Sequence, residues 1–264
     1  MITHKMKQRL SIVKIGGNII EDEQQLSHVL ELFSKVEGHK LLVHGGGKKA
    51  TEIGNKLGIE AKMTNGRRIT DAESLDVAIM VYGGLVNKNI VAQLQSFDCN
   101  AIGMSGADGN SIKAHKRPVK EVDFGFVGDV EAVNAKNISN LLNAHFTPVF
   151  CALTHDGKGQ LFNTNADTIA AELAIGMSTE FETTLYYCFE KKGVLRSVAD
   201  ENSVIAHIDS KKYNQLLQQG IIADGMLPKM HNCYHALNNN VKQVCIGDST
   251  MLENSSSNFT TLTL

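Results

Sequence analysis

Short apolar runs alternate along this chain with longer stretches whose apolar residues recur at helical spacing. Residues 10–15 form a β-branched run that closes on Gly16-Gly17, and residues 22–36 carry a helical period. Residues 40–43 predict a second strand, closing on Gly45-Gly46-Gly47 and leading into a helix through Leu57. Residues 100–103, 147–152, 183–187 and 243–246 predict further central strands. Apolar runs that end in glycine and are joined by helical segments predict parallel strands with crossover helices, their loops gathered at the strand C-termini. Residues 111–116 and 124–133 alternate instead, and 154–162 carry an Asp-Gly-Lys-Gly turn. Both regions predict β-hairpins, placed to cover the ligand edge of the sheet as a lid. The pattern restarts near residue 180 with no Pro- or Ser-rich linker, so the expectation is a single domain, 1–264, whose two halves share one sheet.

Composition narrows the function classes. The 264 residues are 42% hydrophobic, enough for one substantial core. With 26 Lys+Arg against 28 Asp+Glu there is no basic excess for nucleic acid, and none is expected as a partner. No uninterrupted run of about 18 apolar residues occurs, so no membrane span is expected. The five cysteines are scattered, odd in number and never C-x-x-C. That pattern predicts reduced thiols in a cytoplasmic protein rather than a disulfide frame or a zinc site.

Candidate chemistry sits at the glycines. Lys14-Ile15-Gly16-Gly17-Asn18 and His44-Gly45-Gly46-Gly47 each close a strand and open a helix. Without a Cβ, backbone N–H groups can approach an anion, and a helix N-terminus adds partial positive charge. Either cluster alone could be a tight turn; on neighbouring strands they would face one crevice. No Walker A motif exists, whereas Gly45-Gly46-Gly47-Lys48-Lys49-Ala50 formally fits a dinucleotide fingerprint, with Asp71 spaced to meet a ribose. That reading leaves Lys14 unexplained: a lysine inside an apolar strand asks for an anion, the alternative being a side chain that snorkels to the strand end. Asn163 and Asn165, two apart before a helical run, would offer paired amides, unless Asn165 or Asp167 simply caps that helix. Lys229, in the first turn of a helix opened by Asp224-Gly225-Met226-Leu227-Pro228, opposes the helix dipole, a local conflict typical of functional sites. His231 and His235 have metal-ligand spacing but no third ligand, and no metal site is expected from them.

Five motifs in order, Lys14-Ile15-Gly16-Gly17-Asn18, His44-Gly45-Gly46-Gly47, Asn65-Gly66-Arg67-Arg68-Ile69-Thr70, Asn163-Thr164-Asn165-Ala166-Asp167 and Asp224 to Lys229, make the chain resemble the acetylglutamate kinases of the amino-acid kinase family. The resemblance implies an α/β fold, an open, mainly parallel eight-stranded sheet between helices with a β-hairpin lid. The half at about 10–180 would bind the acyl amino acid and the half at about 181–264 would bind ATP, with Mg²⁺ carried on the nucleotide phosphates. Catalytic roles would fall to Lys14, Lys229 and Asp167, and substrate binding to Gly45, Gly46, Arg68 and Asn163. Gly16, Gly17, Glu190, Gly193, Asp224, Gly225 and Met226 would meet the nucleotide. The product would be the acyl phosphate of arginine biosynthesis.

The chain departs from that family at three places. Phe189-Glu190-Lys191-Lys192-Gly193 replaces the usual nucleotide-loop pattern. Arg67 stands where relatives carry an apolar or aromatic residue; it is either a solvated arginine or a reader of an extra carboxylate, which would make the substrate N-succinyl-L-glutamate. Only a short segment precedes the first strand, which implies a homodimer without arginine feedback. Two alternatives stand beside this reading: another phosphotransferase of the family, and a nucleotide-binding regulator that has lost turnover.

Overall fold

A computed structural model describes residues 7–64, 66–223, 226–253 and 258–264. Strand β1 (Arg9–Ile15) leads through two short helices, α1 (Gly17–Glu21) and α2 (Glu23–Ser34), to β2 (His39–His44) and then α3 (Gly47–Lys56). Asp22 ends α1 and caps α2, its carboxylate accepting from the Gln24 and Gln25 N–H groups. A small exposed hairpin follows, β3 (Lys62–Thr64) and β4 (Arg67–Ile69), which the hydrophobic pattern did not announce.

Residues 72–96 then run as one helical segment: α4 (Ala72–Ala78), a π-helical stretch at Ile79–Val86, and α5 (Asn87–Ser96). By length and composition alone this segment could cross a membrane. A count of uninterrupted apolar residues passes over it, because Asp76, Asn87 and Lys88 break the run. Here its inner face, including Val77, Val81, Val86, Ile90 and Leu94, is buried in the core.

The chain continues through β5 (Ala101–Met104), β6 (Ile112–Lys116), β7 (Gly128–Val133), α6 (Ala135–Asn143), β8 (Thr147–Phe150), β9 (Leu153–His155), β10 (Leu161–Asn163) and α7 (Ala166–Met177). The remaining elements are β11 (Glu182–Cys188), β12 (His207–Ile208), α8 (Ser210–Gln218), α9 (Met226–Asn238), β13 (Gln243–Gly247) and β14 (Thr260–Leu262). Eight strands form one sheet in the order β12-β14-β13-β11-β1-β2-β8-β5. Every neighbouring pair is parallel except β13 with β14. Six of these strands follow from the apolar runs. β12 and β14, two and three residues long, were implied only by the family resemblance.

The central strands are apolar on both faces, with Ile12, Val13, Ile15, Leu41, Leu42 and Val43 buried, because helices cover both sides. Helix α7 packs over β1, β2 and β11 beside α9, and α2 packs on α5. The predicted hairpins do not stand apart. β6 and β7 pair across a long connection rather than a tight turn, and β9–β10 joins them in a single sheet ordered β10-β9-β6-β7. This second sheet follows directly on the C-terminal ends of β5 and β8, where ligand loops of a parallel sheet gather. The bridge Thr70–Gly125 ties the segment before β7 to the residue after β4, and the bridge Val127–Asn163 ties it to β10.

Candidate active site

The two glycine clusters lie side by side because β1 and β2 are adjacent and parallel, with Lys14 opposite Val43 and Ile15 opposite His44. On the other flank Lys14 is in register with Tyr187 of β11. The start of α7 comes down on this junction: a Cβ added to Gly45 would sit 3.8 Å from the Ala166 Cβ. Asn165 caps that helix, its side-chain oxygen accepting from the Thr168 N–H at 3.0 Å. Asp167 therefore stands in the first turn, where the dipole favours a carboxylate.

Asp167 collects both lysines. The Lys14 Nζ lies 2.6 Å from its Oδ1, and the Lys229 Nζ donates to Oδ2 at 3.1 Å. The three side chains are 13%, 17% and 20% exposed for Lys14, Lys229 and Asp167, so the cluster is sheltered yet open to a ligand. Burial alone would raise the Asp167 carboxyl, but the charges of Lys14 and then Lys229 outweigh it and hold the pKa at about 2. Two ammonium groups on one carboxylate leave an excess of positive charge in the crevice. The Lys229 ammonium also lies 4.8 Å from the centroid of the Tyr187 ring and 5.7 Å from that of Phe189. The Tyr187 hydroxyl donates to the Asp167 main-chain carbonyl at 2.9 Å, fixing the first turn of α7 to the sheet. The Tyr187 ring was not singled out by the sequence, since an apolar strand hides its tyrosines, and Phe189 figured there only as the first residue of the departing loop.

The glycines divide into distinct kinds. Gly46 has φ +155°, and a Cβ there would meet the Tyr82 ring at 2.9 Å, so only glycine fits. Gly17 opens α1 with nothing within 4 Å of where its side chain would be. The Gly16 N–H donates to the Cys188 carbonyl at 3.0 Å, continuing the β1–β11 ladder by one residue. Gly193 is buried, and a Cβ would lie 2.6 Å from the Thr260 Oγ1, which packing against β14 explains. Glu190 is exposed in the loop after β11. Met226 begins α9, whereas Asp224 and Gly225, like Asn65, lie outside the described residues.

Arg68 reaches the same crevice from β4: its Nη2 donates to the Gly47 carbonyl at 2.9 Å and to the Thr51 Oγ1 at 2.7 Å. Arg67 precedes it on the strand, so the pleat turns it to the opposite face, where it is exposed. Asn163 and Asn165 flank the buried Thr164, but they do not act as paired amides. Asn165 is spent on the helix cap, and the Asn163 Nδ2 donates to the Thr70 Oγ1 at 3.0 Å. Lys48 donates to the Asn18 side-chain oxygen, closing the space between the two glycine loops. Asp71 caps α4 and pairs with Lys62 at 3.2 Å, contacts that account for this aspartate without a ribose.

His235 pairs with Glu172 at 2.9 Å, and no group of three or more metal-ligating side chains exists among the described residues. A separate recess of about 820 Å³ lies at the far, N-terminal end of β1 and β11, lined by residues that include Lys7, Arg9, Glu182 and Lys242. Its charges largely satisfy one another, Lys242 and Arg9 both meeting Glu182, whereas ligands of parallel sheets bind at the C-terminal strand ends.

Comparison with known proteins identifies the family. The pattern of the amino acid kinase family matches residues 9–248. An acetylglutamate kinase of Phocaeicola vulgatus is 56% identical over 241 residues, 91% of this chain and 94% of that one. One of Bacteroides fragilis is 54% identical over 242 residues, 92% of this chain and 93% of its own. Carbamate kinase from Giardia lamblia bound to AMP-PNP superposes with a TM-score of 0.71 at 11% identity, covering 97% of this chain and 98% of that chain, a likeness of fold alone. A lysine pair held by one carboxylate beside two glycine loops, on an eight-stranded sheet of this order and at this level of identity, makes the chain a member of the amino acid kinase family, among its acetylglutamate kinases.

Proposed function

We propose that the protein transfers the γ-phosphoryl group of ATP to the side-chain carboxylate of N-acetyl-L-glutamate, forming the acyl phosphate and ADP on the route to arginine. The observation that carries this is the Lys14–Asp167–Lys229 cluster at the mouth of the glycine loops. The acceptor carboxylate is already ionised at neutral pH, so its oxygen can form the new P–O bond without a general base. The bond to the β-phosphate oxygen breaks, and ADP leaves with that electron pair. Catalysis then consists of positioning and charge stabilisation. Lys14 and Lys229 would neutralise the transferring group from two sides while Asp167 holds them apart and aimed. Gly17, Gly45 and Gly46 would supply backbone N–H donors, Arg68 would hold the α-carboxylate, and Asn163 would meet the amino-acid portion. The halves would divide the labour, 10–180 binding the acyl amino acid and 181–264 binding ATP. Mg²⁺ is expected to enter on the nucleotide and to offset phosphate charge there, since magnesium seldom occupies an all-protein cage. The five cysteines, all free and buried, suit a reducing cytoplasm. Trapping the product with hydroxylamine tests the reaction: ATP-dependent hydroxamate from N-acetyl-L-glutamate is expected, and its absence at high enzyme concentration would overturn the assignment.

The acyl group has a second reading, N-succinyl, favoured by Arg67, which has no acidic partner among the described residues. Its face of β4 weighs against it. A paired series decides. Arg68→Ala should raise KM for either acyl-glutamate by about 10- to 100-fold, the worth of a charge-assisted pair. Arg67→Ala should leave the acetyl compound within about twofold, as a solvated arginine would. A succinyl preference in the wild type that disappears in Arg67→Ala would replace acetyl by succinyl.

A homodimer is the assembly we propose. β5 is the outermost strand of the sheet, and Met80 and Leu85 stand 53% and 42% exposed on the helical segment that precedes it. Sedimentation should give twice the 28.8 kDa chain mass at micromolar concentration; a monomer or hexamer there would remove this part of the reading.

A further inference from the structure

His44 and Asn87 take no part in the chemistry above, yet a continuous chain of contacts ties them to the glycine loop. His44 ends β2 and is completely buried, and its Nδ1 lies 2.7 Å from the Gly45 carbonyl oxygen. A carbonyl only accepts, so Nδ1 donates. The other ring nitrogen, Nε2, lies 3.0 Å from the Asn87 Nδ2, which also donates to the Val149 carbonyl at 2.9 Å. Lys88 donates to the Asn87 Oδ1 at 3.2 Å, so the amide is oriented from both ends and Nε2 accepts. Burial, ahead of the opposing bond to Gly45 and the Lys88 charge, lowers the ring's pKa to about 4, and the neutral Nδ1–H tautomer persists at neutral pH.

A trans peptide carries its C=O and N–H on opposite sides. With the Gly45 carbonyl drawn to the buried ring, the Gly46 N–H must point away from it. Asn87 is itself held from behind. Gly103 of β5 approaches so closely that a Cβ there would collide with the Asn87 Oδ1 and sit 2.6 Å from the Lys88 Nζ.

We propose that the His44–Asn87 relay is a positioning device that fixes the plane of the Gly45–Gly46 peptide, so that the Gly46 N–H meets the transferring phosphoryl group. This rests on the phosphotransferase reading. A histidine that merely filled core volume would tolerate any apolar group of similar size. The relay instead demands an N–H donor at the position of Nδ1. Asparagine places its amide nitrogen near that point, whereas glutamine reaches the Nε2 position and leaves the Gly45 carbonyl unpaired.

The test compares His44→Leu, His44→Gln and His44→Asn by kcat, by KM for ATP and by the amide resonances of isotope-labelled glycines. His44→Leu and His44→Gln should lose about 30-fold in kcat with KM for ATP within about threefold, the loss expected when one donor is misaimed. His44→Asn should stay within about fivefold of the wild type, since the donor is kept. The Gly46 resonance should move in the Leu and Gln variants and stay near its wild-type position in Asn. An Asn variant as impaired as Leu, or a Leu variant within twofold of the wild type, would overturn the proposal. If the Leu variant does not fold, the order of Asn over Gln decides. If the wild type makes no acyl phosphate, the reaction assigned above falls, and the glycine resonances still judge the relay.

Discussion

Replacing Lys14 by alanine is expected to lower kcat by about three orders of magnitude, roughly 4 kcal/mol of lost transition-state stabilisation, with the fold intact. The fold should survive because Asp167 keeps a cation. The Lys229 ammonium remains 3.1 Å from Oδ2, so the buried carboxylate is not orphaned. The loss should fall on kcat, because the charge that Lys14 neutralises grows as the phosphoryl group leaves ADP. Lys14→Arg should recover little: the site holds a compact ammonium 2.6 Å from one carboxylate oxygen, between β1 and the start of α7, and a planar fork needs different room. Hydroxamate formation and thermal unfolding, measured together, check this. Turnover within tenfold of the wild type would remove Lys14 from the chemistry.

Asp167→Asn should damage stability as well as turnover. The isosteric amide keeps the shape but leaves two ammonium groups with no anion between them. The carboxyl ordinarily titrates at 3.8 and sits at about 2 in the folded protein, a linkage of about 2 kcal/mol. A folded pKa below the unfolded one means that the stabilisation is fully present above the unfolded value, near 3.8. It fades as pH falls through about 2. The gap in unfolding free energy between wild type and variant should therefore be constant at neutral pH and narrow on acidification between those values. Turnover should fall by about 100-fold, because the lysines lose the group that aims them. Denaturant titrations at several pH values check the first claim; a gap that widens on acidification would contradict the ion-pair account.

The parts of the molecule legible in its sequence are those where physics acts locally. β1 and β2 are readable because both their faces are covered, so Ile12, Val13, Leu41 and Leu42 must all be apolar, and because glycine must follow where the chain turns beside another strand end. Lys14 stands out for the same reason: a charge in that run needs a partner. The β3–β4 hairpin escaped because three residues per strand, none of them fully buried, leave no alternation to count. The π-helical stretch Ile79–Val86 escaped because its two glycines and apolar run suit several conformations, and only packing chooses among them. His44 was visible only as the first letter of a glycine motif. Its function depends on Asn87 and Val149, distant in sequence, and no spacing rule reports such a triangle. Gly16 and Gly193 show how ambiguous a glycine near a loop is in sequence: one continues a ladder and the other makes room for Thr260, and neither contact is announced by its neighbours.

The strand order has a consequence for how the chain comes off the ribosome. β1 is made first and ends up in the middle of the sheet, yet the partner for one of its sides, β11, begins only at Glu182. While residues 16–181 are being translated, on the order of ten seconds at ordinary rates, an apolar strand presents a bare row of peptide groups to its surroundings. The nascent chain therefore carries its stickiest border where the finished enzyme has none, and the period of greatest hazard ends only when its second half arrives to cover it.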